Sequence, residues 1–316
     1  MMNPKIFIGP MSKNIVDSMI EIANEKQVEF GLIPSRRQVE FSGGYVNNWT
    51  TNKFAEYVKE KTNKILLVRD HAGPLQGDKP DEGLDSIYVD CQHMDIIHVD
   101  VWKKYPSLQE GIDKTIEFIK ICHMFNPTIK FEIGTEESIR KFSVDELEYL
   151  IIELKNKLPE NLFDKIEYAV IQCGTGLLGN TNFRVFDEEK LIAMVNVCKK
   201  YNLKSKEHNG DYQTSEIIKK KFDLGLDSIN IAPEFGKIET EALLEITEGD
   251  SKFFELLFTL CYNSKRWVKW VPADYNPFEN KKELILISGH YVLSDNRLID
   301  FLSENYKSTD IQSFIK

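Results

Sequence analysis

Imidazole and carboxylate side chains recur in this sequence at one kind of position, directly at the ends of short runs of β-branched and aromatic residues. Asp70-His71 closes one such run, His98-Val99-Asp100 the next, and Glu132 precedes Ile133-Gly134 in a third. Gln172-Cys173, Glu207-His208 and Asn230 close three more. Mixed imidazole and carboxylate donors satisfy a hard-to-borderline divalent ion such as zinc, manganese or cobalt. An aspartate next in sequence to a ligand histidine can also serve as a general base beside the ion. Asp70, His71, Glu132 and His208 are therefore the candidate group. Asp100, Gln172 and Asn230 are candidate substrate contacts. Arg36-Arg37 offers a bidentate clamp for a carboxylate or phosphate, with a surface ion pair as the plainer alternative. His98 is read as structural and Cys173 as a small buried residue. The run Lys219–Lys221 is read as a solvated helix face.

These residues meet only if their segments share one architecture. Eight strand-like segments, 5–9, 28–34, 64–70, 95–100, 129–134, 168–173, 203–208 and 227–232, are each bounded by turn residues. Segments with helical spacing separate them. Ile15, Met19, Ile22 and Ala23 follow one helical stripe, and Leu147, Leu150, Ile151 and Leu154 follow another. Ser143-x-x-Glu146 reads as a capping box, and Thr135–Glu137 as a further helix start. Alternating strands and helices make parallel βαβ units, and eight such units close a (β/α)8 TIM barrel. The turn Gly9-Pro10-Met11-Ser12 lacks the GxGxxG of a dinucleotide fold, and no GxxxxGK[ST] occurs. In a barrel these strand ends would lie on one rim, where such folds carry their active sites. The aromatic, helical remainder suggests a division into a barrel over residues 1–250 and a C-terminal helical extension over 251–316.

The 316 residues carry 40 Lys+Arg against 50 Asp+Glu, a net charge of −10, and are 42% hydrophobic. This acidic balance argues against a nucleic-acid partner, because phosphate neutralisation needs clustered cations. No apolar run approaches the ~20 residues of a membrane span. Five cysteines without CxxC spacing suit unpaired thiols in a reducing compartment. The first residues show no secretory leader pattern. A cytoplasmic protein is the expectation.

The motif Asp70-His71-Ala72-Gly73-Pro74 resembles a known group, the GatZ/KbaZ-type subunit of tagatose-1,6-bisphosphate aldolase within the class II ketose-bisphosphate aldolase superfamily. Gly43-Gly44-Tyr45, Ile97-His98-Val99-Asp100 and Ile133-Gly134-Thr135-Glu136 are similar to its further motifs. So is Lys206-Glu207-His208-Asn209-Gly210-Asp211-Tyr212-Gln213-Thr214, where the family's glutamate falls on Lys206, and, more weakly, Gly289-His290-Tyr291. The resemblance implies a TIM barrel holding a divalent metal, zinc first, with manganese or cobalt as alternatives. It implies Asp70 as acid/base, His71 and His208 as metal ligands and Glu132 as a carboxylate at the metal. The implied reaction is cleavage or formation of a C–C bond in a sugar or sugar phosphate through a metal-stabilised enediolate. The sequence departs from the catalytic pattern at two places. Gly174-Thr175-Gly176-Leu177-Leu178-Gly179 lacks the third metal histidine, and the glycine-rich phosphate turn after the seventh strand is replaced by Asn209-Gly210-Asp211-Tyr212. A substrate phosphate would then fall to Arg36, Arg37 or Arg184. Two other readings follow from the resemblance. One is a non-catalytic subunit supporting an aldolase partner chain, and the other a sugar isomerase or epimerase on the same barrel. A homo-oligomer fits either.

Overall fold

A computed structural model describes residues 2–178, 181–182 and 186–306. Eight parallel strands form a closed barrel: β1 (Ile6–Ile8), β2 (Phe30–Leu32), β3 (Ile65–Ala72), β4 (Ile96–Val99), β5 (Lys130–Ile133), β6 (Ile166–Ile171), β7 (Lys204–Glu207) and β8 (Ser228–Ile231). Neighbours in sequence pair in order, and β8 pairs with β1 to close the ring. All eight lie within or beside the segments expected from the sequence.

The outer helices are α1 (Lys13–Lys26), α2 (Thr51–Lys61), α3 (Leu84–His93), α4 (Leu108–Phe125), α5 (Val144–Lys157), α6 (Glu188–Lys200), α7 (Ser215–Asp223) and α8 (Pro233–Ile246). Their apolar stripes form one continuous layer against the strands, with Ile15 and Met19 of α1 and Leu147, Leu150, Ile151 and Leu154 of α5 all buried. Ser143 and Glu146 make the capping box at the start of α5. Thr135–Glu137 starts no helix. The Thr135 hydroxyl instead donates to Asp100, 2.9 Å away, so the expected capping chemistry is spent on tying two strand ends together.

Inside the ring, Phe7, Ile33, Val68, Ile96 and Tyr168 form a separate apolar plug. Gly31 faces Phe7, where a Cβ would lie 1.9 Å from the ring, so only glycine lets the phenyl fill the barrel. The Lys219–Lys221 run departs from a solvated face. Lys221 is fully buried and both Glu207 carboxylate oxygens accept from its ammonium at 2.7 Å.

After α8 the chain forms α9 (Ser251–Ser264), α10 (Lys281–Ser288) and α11 (Asn296–Asn305), around a core that includes Leu243 of α8 with Phe253, Leu257, Leu284 and Leu298. Several contacts bring this tail to the barrel rim, with the Tyr45 ring against Tyr291 among them. The Asn47 amide donates to the Ser294 hydroxyl at 2.6 Å, and Arg266 pairs with Asp78. The five cysteines are free and buried. Among the described residues no helix is long and apolar enough to cross a membrane.

Candidate active site

The chain reaches the site through an irregularity in β3. Its register against β4 shifts between Arg69 and Ala72, and His71 sits at φ 48°, in the left-handed region. A bulge of this kind re-aims side chains at a barrel rim, and a non-glycine residue held there marks strain kept for a purpose. Arg69 anchors the strand just below. It is fully buried, clamps Asp90 at 2.7 and 2.8 Å and donates to the Pro34 carbonyl at 2.8 Å. Gly73 follows at φ 154°, and a Cβ on it would lie 2.4 Å from the Asp100 carbonyl oxygen. The spacing Asp-His-x-Gly is thus what this turn requires sterically.

Three imidazoles meet around Asp70. Its carboxylate lies 3.6 Å from His71 Nε2, 3.5 Å from His98 Nδ1 and 3.7 Å from His208 Nδ1. The ring centroids are 4.8 to 5.4 Å apart. Each ring is held from behind by its other nitrogen. His71 Nδ1 pairs with Asp100 at 2.5 Å, His98 Nε2 with the Gly134 carbonyl at 3.0 Å, and His208 Nε2 with Glu132 at 2.5 Å. Outer partners of this type fix ring orientation and raise ligand basicity at metal sites. His98 Nδ1 additionally accepts from the His71 amide at 3.2 Å.

The electrostatics favour a cation. Burial alone would raise Asp70, but the neighbouring charge of His71, the bond to His98 and the charge of His208 hold it well below the usual carboxylate range. Burial alone would lower His71, yet Asp70 and Asp100 push it up to about 10. Glu132 is likewise buried but held low by Lys206 and His208. His208 is pushed down by burial against the pull of Glu132, and its Nδ1 is buried without a hydrogen-bond partner. One donor atom from each of Asp70, His71, His98 and His208 lies within 4.8 Å of the others. The three imidazole nitrogens, the unpartnered His208 Nδ1 among them, suit a borderline divalent ion with the Asp70 carboxylate beside it.

Asp70, His71 and His208 open into a cleft of ≈ 280 Å³. Its barrel side includes Asp70, His71, His208 and Asn230, and the tail covers it with Lys269, Trp270, His290 and Tyr291. His290 packs where Gly236 of α8 has no side chain; a Cβ there would be 2.7 Å from the histidine's own. Burial, then the charges of Lys269 and Arg266, push His290 down to about 3, so it is a neutral imidazole.

The barrel fold is shared with several solved structures of low sequence identity. The chain superposes on a probable tagatose 6 phosphate kinase from Sinorhizobium meliloti with a TM-score of 0.77 at 17% identity, over 99% of this chain and 91% of that one. Against the YdjI aldolase of Escherichia coli K12 the TM-score is 0.58 at 12% identity, over 95% and 90%. Against the fructuronate-tagaturonate epimerase UxaE of Cohnella laeviribosi it is 0.62 at 9% identity, over 99% and 79%. No protein-family model matches the sequence, and no curated protein matches it.

On this barrel the residues singled out from sequence fall into distinct places. Asp70, His71 and His208 converge. Glu132 lies behind His208, with its second oxygen on Lys206 Nζ at 2.7 Å and both side chains fully buried, so it does not reach the open point. Asp100 stands behind His71, also accepting from Thr135 and from the Trp102 amide. Asn230 lines the cleft with its Oδ1 unpartnered. Gln172 does not line it. Its side chain accepts from the Phe142 amide and donates to the Thr135 and Arg140 carbonyls, stapling a loop. Arg36 is buried and fully engaged by Glu40, Asp81 and the Gly73 carbonyl, so its clamp closes on the protein itself. Arg37 is half-buried, 3.5 Å from Asp78, and does not line the cleft. Arg184 lies outside the described residues. Cys173 is buried beside Glu207, and burial pushes its thiol up to about 12.

His98, Lys269 and His290 belong to the site although sequence reasoning set them elsewhere or passed over them. His98 sits on a strand whose four residues are all buried, so no in–out alternation reveals its direction. Gly289-His290-Tyr291 was visible as a motif, but nothing local connects it to the barrel rim.

Proposed function

We propose that this chain is a divalent-metal-dependent lyase that breaks or forms a C–C bond next to the carbonyl of a sugar or sugar phosphate. The observation carrying this reading is the convergence of His71, His98 and His208 on Asp70, each ring braced from behind. Zinc is the first choice for this donor set, with manganese and cobalt next. When bound, the ion would supply Lewis-acid polarisation of a substrate carbonyl. Asp70 is anionic at neutral pH and accepts the proton of the hydroxyl on the carbon beyond the scissile bond. The bonding pair then moves toward the carbonyl, and in the synthetic direction Asp70 returns the proton. Asn230 Oδ1 and His290 Nδ1 remain free to orient substrate hydroxyls.

The supporting-subunit reading rests on a missing third metal histidine after the sixth strand and a missing phosphate turn after the seventh. His98 offers a third imidazole from β4 instead, which favours an active centre. Epimerisation stays as the second reading, because the fold likeness extends to an epimerase and both reactions develop charge next to a carbonyl. The test is metal content and turnover together. Wild type should hold near-stoichiometric metal, His71→Ala and His208→Ala should lose it, and Asp70→Asn should keep it while losing turnover of sugar phosphates. Product analysis separates a cleaved from an epimerised sugar. Protein that takes up neither zinc nor manganese defeats the proposal.

A further inference from the structure

β7 is followed by a turn, Asn209-Gly210-Asp211-Tyr212, that the metal-centred chemistry leaves unused. It puts Asp211 on the wall of the cleft that Asp70, His208 and Asn230 also line. The turn is braced from several sides. The Gly210 amide donates to the Asn230 carbonyl at 3.0 Å, and a Cβ on Gly210 would lie 2.7 Å from that oxygen. Tyr212 sits at φ 57°, left-handed backbone that a non-glycine residue adopts at a cost, and its amide donates to Glu234 of α8 at 2.7 Å. The Asn182 side chain donates to the Asn209 and Asp211 carbonyls at 3.3 Å. Strain and cross-bracing together hold one side chain in one place.

That side chain is a carboxyl without a cation. Asp211 is 1% exposed, and its Oδ1 accepts from the Ala232 amide at 2.9 Å and the Glu234 amide at 2.8 Å at the start of α8. Among the described residues no side chain donates to this carboxyl, and no Lys, Arg or His stands within ion-pair distance, which leaves Oδ2 to the cleft. A carboxyl held in this way accepts as a carbonyl at Oδ1 and carries a proton on Oδ2. Burial, with the Glu234 charge added, outweighs the two amides and pushes the group up to about 7. Tyr212, its other titratable neighbour, is itself pushed up by burial and stays neutral. Lys269 and His290 of the tail line the same cleft.

Asp70 has the opposite surroundings, because three imidazoles face it and keep it anionic. Two carboxyls on one cleft, one faced by imidazoles and the other by no cation, suit opposite halves of a proton transfer.

We infer that Asp211 is the acid of the reaction, the residue that protonates the carbon from which the scissile bond has departed. The inference rests on the lyase reading for the place where that bond breaks. In the cleavage direction Asp70 takes the hydroxyl proton, the O–H pair becomes the new carbonyl of the aldehyde fragment, and the C–C pair passes to the carbon next to the ketone carbonyl. Asp211 Oδ2 gives its proton to that pair, which becomes a C–H bond, and Asp211 is left as a carboxylate. The proton on Asp70 leaves through solvent and Asp211 takes one up, so one proton is removed and one delivered per turnover. In the synthetic direction the Asp211 carboxylate removes the C–H proton.

Asp211→Asn tests this, because its amide oxygen still accepts from Ala232 and Glu234 while the exchangeable acid is lost. The first readout needs no turnover. The infrared difference between wild type and Asp211→Asn should show a carboxylic-acid band that disappears as pH rises through about 7. Subtracting the variant removes the signal of buried Glu239, which is pushed up to the same range. The second readout is exchange of the carbon-bound hydrogens of dihydroxyacetone and dihydroxyacetone phosphate in heavy water, followed by proton NMR on zinc-loaded protein. Wild type should exchange them, and Asp211→Asn should be slower by on the order of 10²- to 10⁴-fold with its zinc content unchanged. Asp70→Asn, which stops sugar turnover, should keep most of the exchange, since neither ketone carries the hydroxyl on which Asp70 acts. A difference spectrum without the acid band, or exchange that Asp211→Asn leaves unchanged, overturns the assignment. Exchange and zinc lost together in Asp211→Asn would mean a structural role and overturns it as well. Zinc-loaded wild type that exchanges neither ketone and cleaves no sugar defeats the lyase reading, and with it the step given to Asp211, even where the acid band is present.

Discussion

Nδ1 of His98 stands 3.5 Å from the Asp70 carboxylate, one strand away from it in the barrel. The contact turns a histidine that looks structural in sequence into the third imidazole of the cluster. His98→Ala should therefore lower zinc retention as strongly as His71→Ala, measured as metal content after dialysis against a weak chelator. A His98→Ala protein that keeps wild-type zinc would return His98 to a packing role.

Lys206 and Glu132 form an ion pair with no exposed surface, and Lys206 Nζ also lies 3.6 Å over the Phe7 ring. Removing one partner of a buried pair leaves an uncompensated charge. Lys206→Met should lower unfolding stability by about 3–5 kcal/mol. The double variant Lys206→Met/Glu132→Gln should recover much of the loss, read from urea melts. Glu132→Gln alone should weaken metal binding by roughly 10–100-fold, because it alters the partner behind His208.

Gly73 is held at φ 154° against the Asp100 carbonyl. Gly73→Ala should cost on the order of 1–3 kcal/mol in stability and loosen the His71–Asp100 pair. Thermal melting with a metal-content assay checks both. A variant with normal melting and normal metal would show that the turn relaxes freely.

Glu239 of α8 is buried, accepting from the Ser12 hydroxyl and from Asn14 at 2.8 Å, and burial pushes it up to about 7 from 4.5. A raised folded-state pKa means that the folded protein binds this proton more tightly than the unfolded chain. The resulting stability is fully present below about pH 4.5 and is lost as pH rises through 7. Across that window wild type should lose about 3 kcal/mol relative to Glu239→Gln, by the linkage of pKa to stability. Chemical denaturation of both proteins from pH 4.5 to 8 checks the slope, and parallel curves would refute it.

The barrel was legible because its signals are local. Short β-branched runs, turn residues and helical stripes such as Leu147, Leu150, Ile151 and Leu154 act within one turn or one strand. Asp70, His71 and His208 were legible for a related reason: once eight parallel strands close, every strand's C-terminal end lies on one rim. The rest was decided by contacts between distant segments. Asp81, 45 residues beyond Arg36, takes the guanidinium that looked available for substrate. Lys206, 74 residues from Glu132, claims the carboxylate expected at the metal. His98 points inward through the register of strands buried on both faces, and Lys269 and His290 arrive from a tail with no local tie to the rim. Residue type and short-range spacing determined the strands, the helices and which rim would carry chemistry. Only the packed structure decided which charged side chains were already neutralised by a partner and which were left to face the cleft, because that depends on long-range Coulomb and hydrogen-bond partners that no local pattern encodes.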